Sequence, residues 1–305
     1  MAIWYIGVRG LRLCWTAFFD DYTLISKQTC SSSAAVAAES LFQLLGVDFA
    51  KEGKKAVPWG TQVCALGVKL DLAASINGSK QVTVGHTESR VNELCQALEI
   101  IEQTQVMSLK EAEKLRGRLQ WFETFAGGRV AQQALRSLSR MASTGRKSET
   151  LTASELSTIR FLRERVICAP PTRISATSLQ TWLVFTDGAC EGEDMKTVSL
   201  GAVLISPCGV ALEFISERVP DQWMQKFLSL SKHPIFELEL LPVWIALTEW
   251  EGHLVGAQCV FYLDNEAAKA SLVNGCSSQD SGAEIIQAFV YSEMGLQVKV
   301  WFARV

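Results

Sequence analysis

Residues 181–190 read TWLVFTDGAC, an apolar strand-like run that ends in an acid and a glycine, Asp187 and Gly188. Two further acids repeat that oddity. Glu239 lies inside FELELLPVWIAL (236–247), and Asp264 follows the apolar run of CVFYLDN (259–265). A lone carboxylate beside an apolar core loses hydration and tends to take up a proton. Carboxylates that converge also repel one another. A divalent cation resolves both problems, and hard oxygen ligands suit Mg²⁺ or Mn²⁺. Two such ions about 4 Å apart activate a water and steady the leaving oxygen in phosphodiester hydrolysis. Each acid alone has a plainer reading. Asp187 and Asp264 also fit turn formers or helix N-caps, and Glu239 fits the edge of an amphipathic helix. The weight lies on all three occurring together.

Outward from these acids the pattern predicts strands at 182–186, 198–205 and 211–219, then a helix at 237–250. A strand at 259–263, helices at 267–273 and 281–291 and a last strand at 297–302 complete a mixed α/β layer arrangement. This order resembles the ribonuclease H family, through TDGAC at Asp187, the meander strand GAVLIS (201–206), ELELLPV at Glu239 and YLDN at Asp264. Within that family the reverse transcriptase-linked domains of retrotransposons are most similar, through LELLPV (238–243) and VKVWFARV (298–305). The resemblance implies Asp187, Glu239 and Asp264 as catalytic metal ligands, two Mg²⁺ or Mn²⁺ ions, and the RNA of an RNA–DNA hybrid as substrate. Glu239 is preferred to Glu237 because it directly precedes LLPV, and Glu237 lies about 200° round the helix. The family has a further acid or histidine in or near a helix after the last strand. The sequence stops at Val305, so that helix and fourth ligand are expected to be missing.

Upstream, FFDDY (18–22) predicts a hairpin with acids at its tip, followed by a helix over 32–45 and strands around 62–72 and 81–84. FFDDY resembles the paired-aspartate motif of reverse transcriptases, with Asp20 and Asp21 near the metals. LGVDFAKEGKKAVPW (45–59), with Lys54 or Lys55, and CALGVKLDL (64–72) resemble the palm motifs that follow it. From Thr87 the pattern is helical, and Ser108 with Glu111 forms a capping box. LKEAEKLRGRLQWFETFAGGR (109–129) resembles a helical thumb or connection. Between Lys110 and Lys147, Lys and Arg exceed Asp and Glu by six, enough to follow a phosphate backbone. Arg116, Arg118 and Arg129 are the candidate nucleic-acid contacts, although a solvated helix face has the same composition.

Composition bounds the rest. The 305-residue chain is 48% hydrophobic, which is ample for packed cores and argues against intrinsic disorder. Its net charge of −3 hides an asymmetry. Residues 1–180 carry 22 Lys and Arg against 16 Asp and Glu, while residues 181–305 carry 7 against 16. Nine scattered cysteines without CxxC or zinc-like spacing fit a reducing cytosol or nucleus. No apolar run reaches the roughly 20 residues of a membrane span, and Arg9 and Arg12 break up a signal-like start. The expected organisation is a partial palm (1–85), a helical thumb or connection (86–168), a linker (169–180) and a ribonuclease H-like domain (181–305). Met1 precedes Asp20 by about twenty residues, which leaves no room for the upstream palm aspartate or fingers, so polymerase activity is not expected. The main expectation is therefore a retrotransposon polyprotein fragment with nuclease chemistry. The alternatives are an inactive relic that at most binds nucleic acid, and a fold recruited for protein interaction.

Overall fold

The structure is a computed structural model that describes residues 2–18, 21–50, 57–76, 78–126, 128–143, 149–175, 180–191, 197–230 and 234–305. It forms two compact units, Met1–Ser89 with Thr172–Ser175, and Arg90–Pro171 with Ala176–Val305.

The first unit opens with helix α1 (Ala2–Tyr5) and a π-helical turn (Ile6–Gly10), then the antiparallel hairpin β1 (Cys14–Phe18) and β2 (Asp21–Ile25). Helix α2 (Ser31–Leu44) covers it, with Trp15, Leu41 and Phe42 buried and Tyr22 against Trp15 and Phe42. A four-stranded antiparallel sheet follows, from β3 (Gln62–Ala65), β4 (Val68–Asp71), a short α3 (Ala73–Ile76) and β5 (Gln81–His86).

The second unit starts with four helices, α4 (Glu88–Thr104), α5 (Leu109–Ala126), α6 (Gln132–Met141) and α7 (Ala153–Cys168). Leu94, Leu98, Leu119, Phe122, Leu138, Ile159 and Leu162 form their core. Two capping boxes start helices here. Ser108 exchanges bonds with Glu111 as expected, and Thr152 does so with Glu155 at α7. The Ser/Thr-rich stretch 143–157 therefore includes a helix start, because Thr-x-x-Glu satisfies the first free N–H groups from both ends. Residues 169–180, expected as linker, include β6 (Thr172–Ser175), which returns to the first unit's sheet and pairs antiparallel with β5.

The remainder is a mixed α/β domain whose strands and helices follow the order the sequence suggested, with one helix added. Strands β7 (Thr181–Glu191), β8 (Thr197–Ile205) and β9 (Ala211–Arg218) form an antiparallel meander. Helix α8 (Asp221–Leu230), absent from the sequence reading, and α9 (Ile235–Glu249) follow, then a short α10 (Glu251–Leu254) and β10 (Gln258–Leu263). Helices α11 (Glu266–Asn274) and α12 (Asp280–Leu296) and strand β11 (Lys299–Arg304) complete it. The sheet order is β11-β10-β7-β8-β9, with β10 parallel to β7 and β11 parallel to β10. Strict alternation along β10 buries Cys259, Phe261 and Leu263 beneath the helices. The residues between them point to the other face, where Phe185 stacks on Tyr262 with centroids 4.6 Å apart.

The helices and the mixed sheet share one unit through the segment after α5. Val130 is buried in the mixed sheet's core, and its carbonyl accepts a bond from Gln287 of α12. Beside it Arg129 ion-pairs with Glu293 of α12, donates to the Leu272 carbonyl and lies over the Phe302 ring. Arg129 was expected on a phosphate backbone, and that expectation is corrected here. Its guanidinium points inward because Glu293, largely shielded from solvent on α12, needs a cation.

Candidate active site

The parallel register of β7 and β10 brings two acids level. The two strands pair as far as Phe185 opposite Tyr262, and Thr186 Oγ1 still donates to the Tyr262 carbonyl. Asp187 lies two residues beyond Phe185, and Asp264 two beyond Tyr262. Here β7 leaves β10 and continues with β8 alone. Strand order also reverses at β7, and the carboxyl ends of parallel strands at such a point leave a crevice for ligands.

Neither aspartate has the plainer role open to it from sequence. Asp187 is mid-strand opposite Gly201, because β7 runs on to Glu191 instead of stopping at the acid. Asp264 is not the cap of α11, since Asn265 fills that position by accepting from the Ala268 N–H. Glu239 is likewise no exposed edge. It is 5% exposed among the buried Leu238, Leu240 and Leu241.

Carboxylate oxygens of Asp187, Glu239 and Asp264 all lie within 4.8 Å of one another. Glu239 Oε2 is buried and accepts no hydrogen bond. Among the described residues, no Lys, Arg or His ion-pairs with any of the three. Burial pushes the Glu239 carboxyl up from 4.5 to about 7, with further contributions from the charges of Asp264 and Asp187 and a hydrogen bond with Asp264. The other two carboxylates are exposed to solvent. The cluster thus has one wall in the core and an open side.

Glu239 reaches the strands through a feature that the sequence reading missed. A Cβ on Gly188 would lie 2.3 Å from the Leu238 carbonyl oxygen and 3.0 Å from the Glu239 nitrogen, so only glycine lets the α9 backbone approach β7 this closely. The signal was present in TDG, a glycine inside a strand directly after an acid. Glu237, set aside on helical geometry, is 1% exposed and accepts a hydrogen bond from Ser281 Oγ.

The other candidates divide. Arg116 is exposed on α5, and Arg118 pairs with Glu93 at 3.0 Å. Asp20 and Lys54–Lys55 lie outside the described residues, and of Asp21 only the strand position opposite Phe18 is described. All nine cysteines are free thiols. Among the described residues no helix is long and apolar enough to cross a membrane.

No protein-family model matches the chain, and no curated protein matches it. Solved structures with partial likeness include a foamy viral protease-reverse transcriptase in complex with double-stranded DNA, at 12% identity and a TM-score of 0.44. That likeness covers 100% of this chain, which spans 48% of the viral chain. Others are RNase H1 from the halophilic archaeon Halobacterium salinarum (12% identity, TM-score 0.29, 41% of this chain and 85% of that one) and LC11-RNase H1 in complex with an RNA/DNA hybrid (13%, 0.30, 41% and 84%).

Proposed function

We propose that the chain is a divalent-metal-dependent nuclease of the ribonuclease H type. In this reading it belongs to the reverse transcriptase–ribonuclease H region of a retrotransposon polyprotein and cuts the RNA strand of RNA–DNA hybrids. The observation that carries the reading is the convergence of Asp187, Glu239 and Asp264 within 4.8 Å, with one buried carboxylate oxygen unpartnered.

These residues fit Mg²⁺ or Mn²⁺. The donors are hard oxygens, and a cation among them would offset the repulsion between their charges. The unpartnered Glu239 oxygen is the kind of buried group whose desolvation cost a cation removes. When bound, such ions, in our reading two of them, supply charge neutralisation and activation of water for phosphodiester hydrolysis. The chain's own contribution is placement. Glu239 must be ionised to act as a ligand, while Asp187 and Asp264 leave the open side to substrate.

Residues 181–305 carry an excess of nine negative charges, which repels a polyanion. Arg116 and Arg118 on α5 are the residues we assign to the hybrid's phosphates, and Arg129 holds the helices to the mixed sheet instead. Such a nuclease would work in the cytosol or nucleus.

Substrate choice tests the reading. A hybrid labelled on each strand in turn, incubated with the chain and Mg²⁺ or Mn²⁺, should lose its RNA strand only, and double-stranded DNA should stay intact. Cutting of the DNA strand at a similar rate would overturn it.

A further inference from the structure

Glu239 is the fifth residue of α9 and follows directly on its first turn, from which two of the usual restraints on a helix start are missing. Its N-cap is Pro234, which makes no side-chain capping bond. Four residues after Leu238 stands Pro242, which has no N–H to give to the Leu238 carbonyl. That carbonyl is the atom β7 approaches at Gly188. The backbone ladder thus leaves the direction of this turn only partly specified.

A side-chain bond from α12 stands in their place. Ser281 Oγ, in the first turn of α12, donates to Glu237 Oε1, and Ser281 and Glu237 are 5% and 1% exposed. Alongside, a Cβ on Gly282 would lie 2.3 Å from Phe236 Cε1, so the two helix starts touch without a spacer. Glu237 sits in the first turn of its own helix against the start of α12, and its other carboxylate oxygen, Oε2, is buried without a hydrogen-bond partner. A buried acid is expensive to keep in a core, and the metal chemistry does not use this one.

We propose that Glu237 is a positioning residue, whose hydrogen bond to Ser281 fixes the rotation of the first turn of α9 so that Glu239 faces Asp187 and Asp264. This deepens the nuclease reading and rests on it for its consequence in metal binding. Glu237 touches no metal. It acts through the first turn of α9, which sets the direction of the helix on which Glu239 follows, with Gly188 as the stop on the other side.

Mn²⁺ binding by calorimetry, with thermal unfolding in chelator as a control for folding, tests the idea on the full chain. Ser281→Ala is expected to weaken Mn²⁺ binding about tenfold, the lower end of the range for groups bonded directly to a metal ligand, since Ser281 acts one residue further out. Glu237→Gln, which keeps the acceptor oxygen and the volume, is expected to stay within about twofold. A Ser281→Ala chain that folds and binds Mn²⁺ as the parent does would overturn the proposal. So would loss of binding in Glu237→Gln with retention in Ser281→Ala, since that pattern means charge at a distance. A crystal structure of Ser281→Ala gives a readout without metal, in which the Glu239 carboxylate should swing out of the 4.8 Å cluster. Glu239 unmoved there overturns the positioning role. A parent that binds no Mn²⁺ would instead overturn the metal reading and leave the crystallographic test standing.

Discussion

Glu239 is the residue on which acidity, stability and metal binding meet. In the metal-free protein its carboxyl is held at about 7, against an ordinary 4.5, by burial and by its two acidic neighbours. The folded state therefore binds the proton more tightly than the unfolded chain, and stability falls as pH rises from about 4.5 through about 7. The gap is worth about 3 kcal/mol, since each pH unit corresponds to about 1.4 kcal/mol. Urea unfolding in chelator should show that loss, and Glu239→Gln should flatten it. A slope unchanged in the variant would place the titrating group elsewhere. Mn²⁺ must displace the same proton, so its affinity should rise with pH and level off above about 7. Asp187→Asn and Asp264→Asn carry opposite expectations in the two conditions. In chelator each removes a like charge and should stabilise by about 1 kcal/mol, as trimming a strained site commonly does. With Mn²⁺ present each should lose the metal-linked rise in Tm.

At the scale of elements, what positions the triad is the join between β7 and α9. Gly188→Ala places a methyl against backbone, which no rotamer change relieves, and should cost more than about 2 kcal/mol in urea unfolding while abolishing Mn²⁺ binding. A variant with parental stability and binding would show that β7 and α9 are not held this close. The elements themselves were largely legible from the sequence. Apolar runs that end in an acid marked β7 and β10, and an apolar run with an acid inside it marked α9. Less legible was whatever depends on a partner distant in sequence. Strand β6 is four residues long and exists through β5. Helix α8 follows Pro220-Asp221, a start signal overlooked beside the stronger pattern of α9. Arg129 and Arg116 have the same chemistry in a one-dimensional reading, and only Glu293, 164 residues away, separates their roles. The bond from Ser281 to Glu237 spans 44 residues and has no local signature.

Across the larger unit, one buried and one partly buried ion pair hold helices together and to the mixed-sheet domain. Arg165 of α7 pairs with Glu123 of α5, both nearly inaccessible, and also reaches Met294 Sδ of α12 at 3.8 Å. Burial raises the Glu123 carboxyl, and Arg165 opposes that rise. Arg165→Met alone strands a buried acid and should cost about 3–5 kcal/mol, whereas Glu123→Leu with Arg165→Met should recover most of it. Chemical denaturation of the two variants checks this, and equal losses would mean the pair's charge is not what matters. These contacts hold basic helices beside the acidic mixed-sheet domain, and the proposed nuclease reading turns on whether the three acids do chemistry. The most direct measurement is cleavage of a labelled RNA–DNA hybrid in Mg²⁺ and in Mn²⁺ by the parent chain and by Asp264→Asn. Our account predicts metal-dependent loss of the RNA strand with the parent and none with the variant. Cleavage that survives in Asp264→Asn, or a parent that leaves the hybrid intact with either ion, would contradict it.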